Sequence, residues 1–236
     1  MAVDKGKFTD VTAVARALRP SYPVYCVRPD VLAATAKRFI SQFPGTVLYA
    51  VKCNPHPLVL DAFYKGGVRH FDTASLSEIA LISDTFSDAH TYFMHPVKSR
   101  AVIKTAYQVY GVRHFVVDHM DELNKVLDEA GNQGVTIIVR VNTPPADDTL
   151  YHLAAKFGAA PDSAAELMKA ARARGCAVGL AFHVGSQCRS PEAYSTALNL
   201  LSQIIGPPAS IPSVLMSAVV FPPLTAIVRS LISMRS

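Results

Sequence analysis

Residues 49–54 read YAVKCN, and this stretch decides how the rest of the chain is interpreted. Its first half is a short apolar run, and Asn54 with Pro55 closes it with a turn signal, which is typical of a buried strand. Lys52 stands at the end of that run, where another aliphatic residue would be expected. Burial would disfavour the charged form of its ammonium group, so that a free amine would become available for chemistry. The stretch therefore raises the question of why a strand ends in a lysine.

The composition allows one folded core and argues against several functions. The chain has 236 residues, of which 50% are hydrophobic, enough for one substantial core. Its formal charge of +5 is spread along the chain, whereas a nucleic-acid surface would need a cluster. The 4 cysteines show no CxxC spacing, so we expect free thiols in a reducing compartment and no metal site. The first residues contain no apolar secretory signal, and we expect a cytoplasmic location.

Short apolar runs alternate with amphipathic stretches along most of the chain, which predicts parallel βαβ units. The predicted strands are 23–27, 46–51, 68–72, 91–94, 113–117, 135–141 and 177–183. The predicted helices are 30–41, 56–66, 75–84, 99–110, 119–130, 161–174 and 191–204. From residue 46 onward the strands are spaced like the units of a (β/α)8 TIM-type barrel, which takes about 250 residues. The fold class is therefore α/β, an incomplete TIM-type barrel of about six βα units.

Three segments follow from this pattern. Residues 1–45 are predicted to form a strand and a helix that lead into the barrel, and residues 46–205 the partial barrel. Residues 206–236 are apolar, rich in proline and free of acidic residues, and they lack the strand–helix rhythm. We predict that this tail is foreign to the fold, as in a truncated or alternatively spliced product; the alternative is a real but poorly patterned last element. Its longest apolar run, 214–221, is too short to span a bilayer, so no membrane partner is expected.

Polar residues follow one predicted strand after another. In a parallel barrel the carboxyl ends of the strands face the active site, and core packing alone does not place polar residues there repeatedly. These residues are Lys52, Asp72, His95, Asp118, Arg140, Asn142 and His183, with Glu78 in the helix after Asp72 and Ser186 in the turn after His183. Asp118 is also a predicted cap of the helix that follows it. The pattern predicts one functional site at this end of the barrel.

These side chains suit a cofactor that carries a carbonyl group. An amine fixed at a strand end can form a Schiff base with pyridoxal phosphate, the common cofactor of this kind. A histidine across the barrel mouth can stack on a pyridine ring, and a Gly-Ser pair after a strand can contact a phosphate. Each feature alone has an ordinary explanation, since strand-end lysines are often surface residues, single histidines often core groups, and Gly-Ser pairs often turns. Only their combination predicts a cofactor pocket.

Four motifs in register make the interpretation more specific. They are YAVKCN at 49–54, FDTASLSEI at 71–79, KFG at 156–158 and FHVGSQ at 182–187. With them, the chain resembles the ornithine/diaminopimelate/arginine decarboxylase family of fold-type III pyridoxal-phosphate enzymes, and within it most closely the ornithine or ornithine/lysine decarboxylases. The resemblance implies decarboxylation of a basic amino acid with pyridoxal 5'-phosphate as cofactor. The first candidate is conversion of ornithine to putrescine, in polyamine biosynthesis.

The resemblance also implies roles for individual residues. Lys52 is similar to the family's lysine that binds the cofactor covalently, and His183 to the residue that stacks on the cofactor ring; these two are the implied catalytic residues. Ser186 is similar to a residue that contacts the cofactor phosphate. The polar network around the cofactor and its lysine is matched by Asp72, Glu78 and Arg140.

The chain also departs from the family. The glycine-rich phosphate loop of the seventh strand, the Glu-Pro-Gly-Arg segment of the eighth and the C-terminal β-domain have no counterpart in the sequence. In the family, the β-domain completes the active site across a homodimer, so the resemblance implies a truncated form with little activity. Two alternatives stay open: a non-catalytic regulatory homologue of ornithine decarboxylase, and a diaminopimelate decarboxylase or racemase on the same barrel.

Overall fold

Two helices precede the barrel in the computed structural model, which describes residues 7–143, 156–185, 191–205, 214–221 and 224–228. Helix α1 (Val11–Leu18) is capped by Asp10, and α2 (Pro29–Gln42) begins with a proline. The strand predicted at 23–27 is wrong. The segment has strand-like composition, but no described strand pairs with it, and Tyr25 is 97% exposed. An apolar run becomes a strand only where a neighbouring strand supplies hydrogen bonds.

The remaining strands and helices follow the predicted alternation. The parallel strands are β1 (Leu48–Ala50), β2 (His70–Thr73), β3 (His90–Phe93), β4 (His114–Val117), β5 (Thr136–Arg140) and β6 (Ala177–His183), adjacent in chain order. The helices are α3 (Pro57–Lys65), α4 (Leu76–Thr85), α5 (Arg100–Gln108), α6 (Met120–Ala130), α7 (Pro161–Ala173) and α8 (Glu192–Ile205). A short 3-10 helix, Val51–Cys53, follows β1. The predicted incomplete α/β barrel of six units is confirmed.

The strand register divides the side chains between two faces. One face carries an apolar cluster that includes Tyr92, Val116 and Ile138, while the other face packs against the helices. Side chains alternate along a strand, so residues two positions away from the members of this cluster share its face. At the carboxyl ends these are Asp118, Arg140 and His183, with Asp72 on β2; at the amino ends they are His70, His90 and His114. The barrel interior is therefore apolar in the middle and polar at both ends.

Helix α2 packs closely against α3 at a glycine. A Cβ atom on Gly66 would lie 2.7 Å from the Cβ of Ala36 and 2.8 Å from the carbonyl oxygen of Ala33. Only glycine permits this approach of the two helices. None of the helices within the described ranges is long and apolar enough to cross a membrane.

The segment after α8 contains two strands that the sequence pattern missed. Strand β7 (Val214–Phe221) pairs in parallel with β6, and β8 (Leu224–Val228) pairs with β7 in the antiparallel sense. A run of apolar residues suits a strand buried in a parallel sheet, but the prolines on both sides of 214–221 concealed it. Strand β7 corresponds to the alternative prediction, in which the segment after residue 205 contains a real but poorly patterned last element. That residues 206–236 lie outside the family fold stays a prediction.

Candidate functional site

Lys52 lies in a turn rather than in a strand. Strand β1 ends at Ala50, and the 3-10 helix that follows buries Val51 but leaves Lys52 exposed. The burial predicted for Lys52 is therefore wrong. Tyr49 fixes this turn through two contacts. Its hydroxyl donates a hydrogen bond to the carbonyl oxygen of Asn54 at 3.2 Å, and its ring packs within the core. The lysine amine is thus open to a ligand while its backbone is fixed.

Asp72 and Glu78 lie close enough to Lys52 to interact with it electrostatically. Asp72, which is 3% exposed, pairs in register with Ala50, two residues before the lysine. Glu78 stands in the first turn of α4, where its Oε2 accepts a hydrogen bond from the backbone N of Ala74 at 2.7 Å. Burial raises the pKa of Glu78, and the negative charge of Asp72 raises it further, while the charge of Lys52 lowers it. One cation and two carboxyl groups therefore interact at the carboxyl ends of β1 and β2.

Cys53 belongs to the same cluster, although its sequence gave no reason to single it out. Its side chain is partly buried directly after Lys52. Burial raises the pKa of the Cys53 thiol; Lys52 lowers it, and the charges of Asp72 and Glu78 raise it again. The thiol is therefore held in its protonated, less nucleophilic form.

The KFG motif attaches to the end of β5. Residues Val141 and Ala159 form a parallel bridge, in which the Ala159 N donates to the carbonyl oxygen of Arg140 at 2.8 Å. This pairing brings the Phe157 ring to 5.3 Å from the guanidinium of Arg140, within the range of a cation–π contact. The His95 ring meets Phe157 edge-on, with centroids 5.6 Å apart. The motif thus joins the polar residues that end β3 and β5.

Gly158 allows this attachment, and Asp118 supports it. The φ of Gly158 is +111°, and a Cβ atom there would lie 2.6 Å from the backbone N of Asn142. The Gly158 N donates to Oδ2 of Asp118 at 3.0 Å. The prediction that Asp118 caps α6 is therefore wrong, because the cap is the next residue, His119, whose Nδ1 accepts from the helix backbone. Asp118 faces the barrel interior and fixes the KFG turn.

His183 ends β6 with a defined ring orientation. It is half-buried, and its Nδ1 accepts a hydrogen bond from the backbone N of Gly185 at 2.9 Å. A nitrogen that accepts carries no proton, so this bond assigns the neutral ring proton to Nε2. The hydroxyl of Thr143 donates to the His183 carbonyl oxygen at 3.2 Å. Ser186, the predicted phosphate contact, lies outside the described residues.

The sequence interpretation missed a buried lysine next to this site. Lys98 has 0% side-chain exposure, and its Nζ lies 2.9 Å from Oε1 of Glu122. The same Nζ donates to three carbonyl oxygens, at 3.1, 3.2 and 2.6 Å; they belong to His95, Pro96 and Val116. Burial lowers the pKa of Lys98 to about 8, an effect that the charge of Glu122 opposes. The available signal was the lysine of FMHPVK, which follows β3 by a few residues.

The side chains of this site suit a cofactor that carries a carbonyl group. They offer one accessible amine, two neighbouring carboxyl groups, a histidine of fixed orientation and an arginine held by an aromatic ring, at the carboxyl ends of parallel strands. Within the described part of the chain, no group of His, Cys, Asp or Glu side chains could hold a metal ion. Fold and site together define an α/β barrel domain of the kind that binds pyridoxal phosphate.

Comparison with known proteins gives the family. Residues 30–209 match the model of the pyridoxal-dependent decarboxylases, pyridoxal binding domain. The chain belongs to this family, whose cofactor is pyridoxal 5'-phosphate.

Individual relatives are similar over the same region. The lysine/ornithine decarboxylase of Selenomonas ruminantium is 36% identical over 154 residues, which are 64% of this chain and 38% of the relative. Antizyme inhibitor 2 of Xenopus laevis is 31% identical over 165 residues, 69% of this chain and 35% of the relative. The arginine decarboxylase of Paramecium bursaria Chlorella virus bound to agmatine superimposes with a TM-score of 0.74 at 26% identity, covering 87% of this chain and 56% of that structure. The chain thus spans well under two thirds of the length of the curated relatives it matches.

Proposed function

We propose that this chain carries the pyridoxal-phosphate half of a decarboxylase that acts on a basic amino acid, with ornithine as the first candidate substrate and putrescine as its product. The observation that carries the proposal is Lys52, an exposed amine in a fixed turn beside Asp72 and Glu78. In this proposal the reaction serves polyamine biosynthesis in the cytoplasm. The names of the relatives include lysine and arginine decarboxylases as well, so these amino acids are the competing substrates.

Each site residue has a role in this proposal. When bound, pyridoxal phosphate supplies an aldehyde that condenses with an amine and an electron-poor ring that accepts the electron pair left when carbon dioxide departs. Lys52 would hold the cofactor through its amine, at the position where the substrate amine would also bind. Glu78 holds a proton near that amine, since its raised pKa allows the carboxyl group to exchange a proton closer to neutral pH, and Asp72 lies beside it at the end of β2.

The remaining residues orient the cofactor. His183 stacks on the ring, and its orientation is fixed by the hydrogen bond from Gly185 to Nδ1. Arg140 contributes a positive charge whose position is fixed by Phe157. Ser186 contacts the phosphate. We further propose that a complete protein of this kind forms a homodimer, and that the present chain alone binds the cofactor weakly and decarboxylates little or nothing.

Covalent trapping tests the central role of Lys52. The purified chain is incubated with pyridoxal phosphate, reduced with borohydride, digested and analysed by mass spectrometry. We expect the pyridoxyl label on Lys52, and its loss in Lys52→Ala. The matched control is Lys65→Ala, which removes another exposed lysine, paired with Asp61 on its own helix, and should leave the label unchanged. Labelling spread evenly over surface lysines, or no labelling of Lys52, would refute the proposal.

A non-catalytic regulatory role is the second candidate. It is favoured by the similarity to antizyme inhibitor 2, which matches 69% of this chain. Trapping at Lys52 supports the enzyme even where this chain releases little carbon dioxide from ornithine, whereas an untrapped Lys52 in a stably folded chain supports the regulatory role. Assays with diaminopimelate, and for racemisation of alanine, test the remaining alternative of a related barrel enzyme.

A further inference from the structure

Three histidines lie together at the amino ends of the strands, opposite the site of Lys52. His70, His90 and His114 begin β2, β3 and β4, and all three share the interior face of the sheet. With Tyr92 they line a cavity of about 460 Å3 that is open to solvent. We call these four residues the histidine cluster. The proposed function uses none of them.

Direct contacts connect the three strands within the histidine cluster. His70 and His90 stack with ring centroids 5.0 Å apart, and the His114 ring lies 4.4 Å from that of Tyr92. Nδ1 of His70 is 3.0 Å from the Tyr92 hydroxyl. Burial raises the pKa of Tyr92 to about 12, so the hydroxyl keeps its proton and can donate it where Nδ1 of His70 is unprotonated. Protonation of His70 at that nitrogen would reverse the bond, because the hydroxyl oxygen can also accept, and would put a positive charge on a ring that stacks on His90.

The surroundings oppose positive charge. Burial and the charge of His90 together lower the pKa of His70 to about 4, and burial with the charges of His70 and His90 lowers the pKa of His114 to about 4. The connection before β4 adds Arg113 and the uncharged Tyr110 to the cavity wall. The register partners on the outer strands are Leu48 on β1 and Thr136 on β5, which are uncharged.

No carboxylate among the described residues lines this cavity to compensate a charge. The nearest charged pair on the same connections, Arg69 with Asp88, is engaged at the surface with its own partners. Among the described residues that line the cavity, a proton taken up by the cluster would therefore meet neutral or positive neighbours.

We infer that the histidine cluster is an acid-sensitive contact, which holds β2, β3 and β4 together at the amino end of the barrel while its imidazoles are neutral and loosens that end when they take up protons. The reason is mutual repulsion of imidazolium groups stacked in a cavity that no described carboxylate lines. This inference does not depend on the proposed cofactor chemistry.

The direction in which pH changes the stability of the folded chain follows from proton linkage. The folded chain holds His70 and His114 at a pKa of about 4, below the 6.5 of a free imidazole. The unfolded chain therefore binds more protons between those two values, and stability falls as the pH falls through that window. Between about pH 7.5 and about pH 5.5, each histidine raises the unfolding equilibrium constant by up to about tenfold, less where solvent screens the charge.

Chemical denaturation at these two pH values tests the inference. The chain is compared with the double variant His70→Gln/His114→Phe, which keeps an acceptor for Tyr92 and a ring to stack on it but cannot be protonated. The matched control is His119→Asn, which replaces an exposed capping histidine outside the cluster by another good cap. We expect the acid-induced increase in the unfolding constant to shrink by about ten- to a hundredfold in the double variant and to persist in the control.

An equal increase in the chain and the double variant would overturn the inference. If the double variant does not fold, NMR titration of the unmodified chain provides the readout. Ring resonances of His70 and His114 that titrate well below the 6.5 of a free imidazole support the inference, and resonances that titrate at that value overturn it.

Discussion

Breaking the buried pair between Lys98 and Glu122 is the perturbation for which the structure gives the clearest magnitude. Lys98→Met removes an ammonium group that has four partners: the Glu122 carboxylate at 2.9 Å and three carbonyl oxygens. It leaves a carboxylate that is 6% exposed, with Lys125 as its remaining cation at 2.5 Å. Removing one member of a buried pair typically costs about 3–5 kcal/mol. Because Lys125 still neutralises Glu122 in part, we expect about 3 kcal/mol.

A double-mutant cycle measures the interaction itself. Urea unfolding followed by far-UV circular dichroism gives the free energy of unfolding for the chain, Lys98→Met, Glu122→Gln and the double variant. Contacting residues in one network show coupling energies of about 0.5–3 kcal/mol, and we expect the upper half of that range because both groups are buried.

An exposed pair provides the matched control. Lys65 and Asp61 lie 2.7 Å apart, a similar distance, but their side chains are 69% and 47% exposed. The cycle Lys65→Met and Asp61→Asn should give less than about 0.5 kcal/mol. A coupling near zero for Lys98 and Glu122, or a coupling equal to that of the exposed pair, would refute the argument that burial makes this interaction strong.

Two further predictions concern the backbone around the site. Gly158→Ala should destabilise the chain by about 1–3 kcal/mol or more, because a left-handed φ is combined with a 2.6 Å approach of the added Cβ to the backbone of Asn142. The control Gly131→Ala, at φ +71° with nothing within 4 Å, should lose less stability in the same thermal unfolding series. Equal losses in the two variants would contradict this argument. Ser75→Ala should lower the free energy of unfolding in urea by about 1 kcal/mol, because the Ser75 hydroxyl caps α4 by accepting a hydrogen bond from the backbone N of Glu78. Ser75→Asp keeps a capping oxygen and should retain most of that stability. A Ser75→Ala variant as stable as the unmodified chain would count against the cap.

The order of the barrel elements could be predicted from the sequence because each strand is buried on both faces. Their central residues, such as 137–139, are then continuously apolar, and helices with polar faces separate the strands. The segment 23–27 has the same composition, yet it forms no strand, since local composition contains no information about a partner edge. The opposite error occurred at 214–221, where flanking prolines outweighed an apolar run that pairs with β6.

The positions of the candidate site residues could be predicted where strand ends determine them. The hydrogen-bond partners and exposure of their side chains could not. Asp72 and His183 lie at the ends of β2 and β6 as expected. The exposure of Lys52 depends on the 3-10 turn after β1, which the pattern could not distinguish from one more strand residue. Asp118 precedes a helix and looked like its cap, but the KFG segment, 40 residues further along the chain, competes for its carboxylate. A contact between residues so far apart in the chain leaves no signal in the local sequence.

One structural rule accounts for both polar ends of the barrel. Because side chains alternate along a strand, the face that presents Asp72 at the carboxyl end of β2 also presents His70 at its amino end. On β4 the same face carries His114 and Asp118, with the fully buried Val116 between them. The apolar layer separates a carboxyl end that combines one exposed amine with acidic groups from an amino end that has imidazoles and no carboxylate in its cavity wall among the described residues. Acidic groups therefore compensate the amine at one end of the strands, whereas the described cavity wall at the other end offers the imidazoles no carboxylate, which is why a ligand is expected at the first end and acid sensitivity at the second.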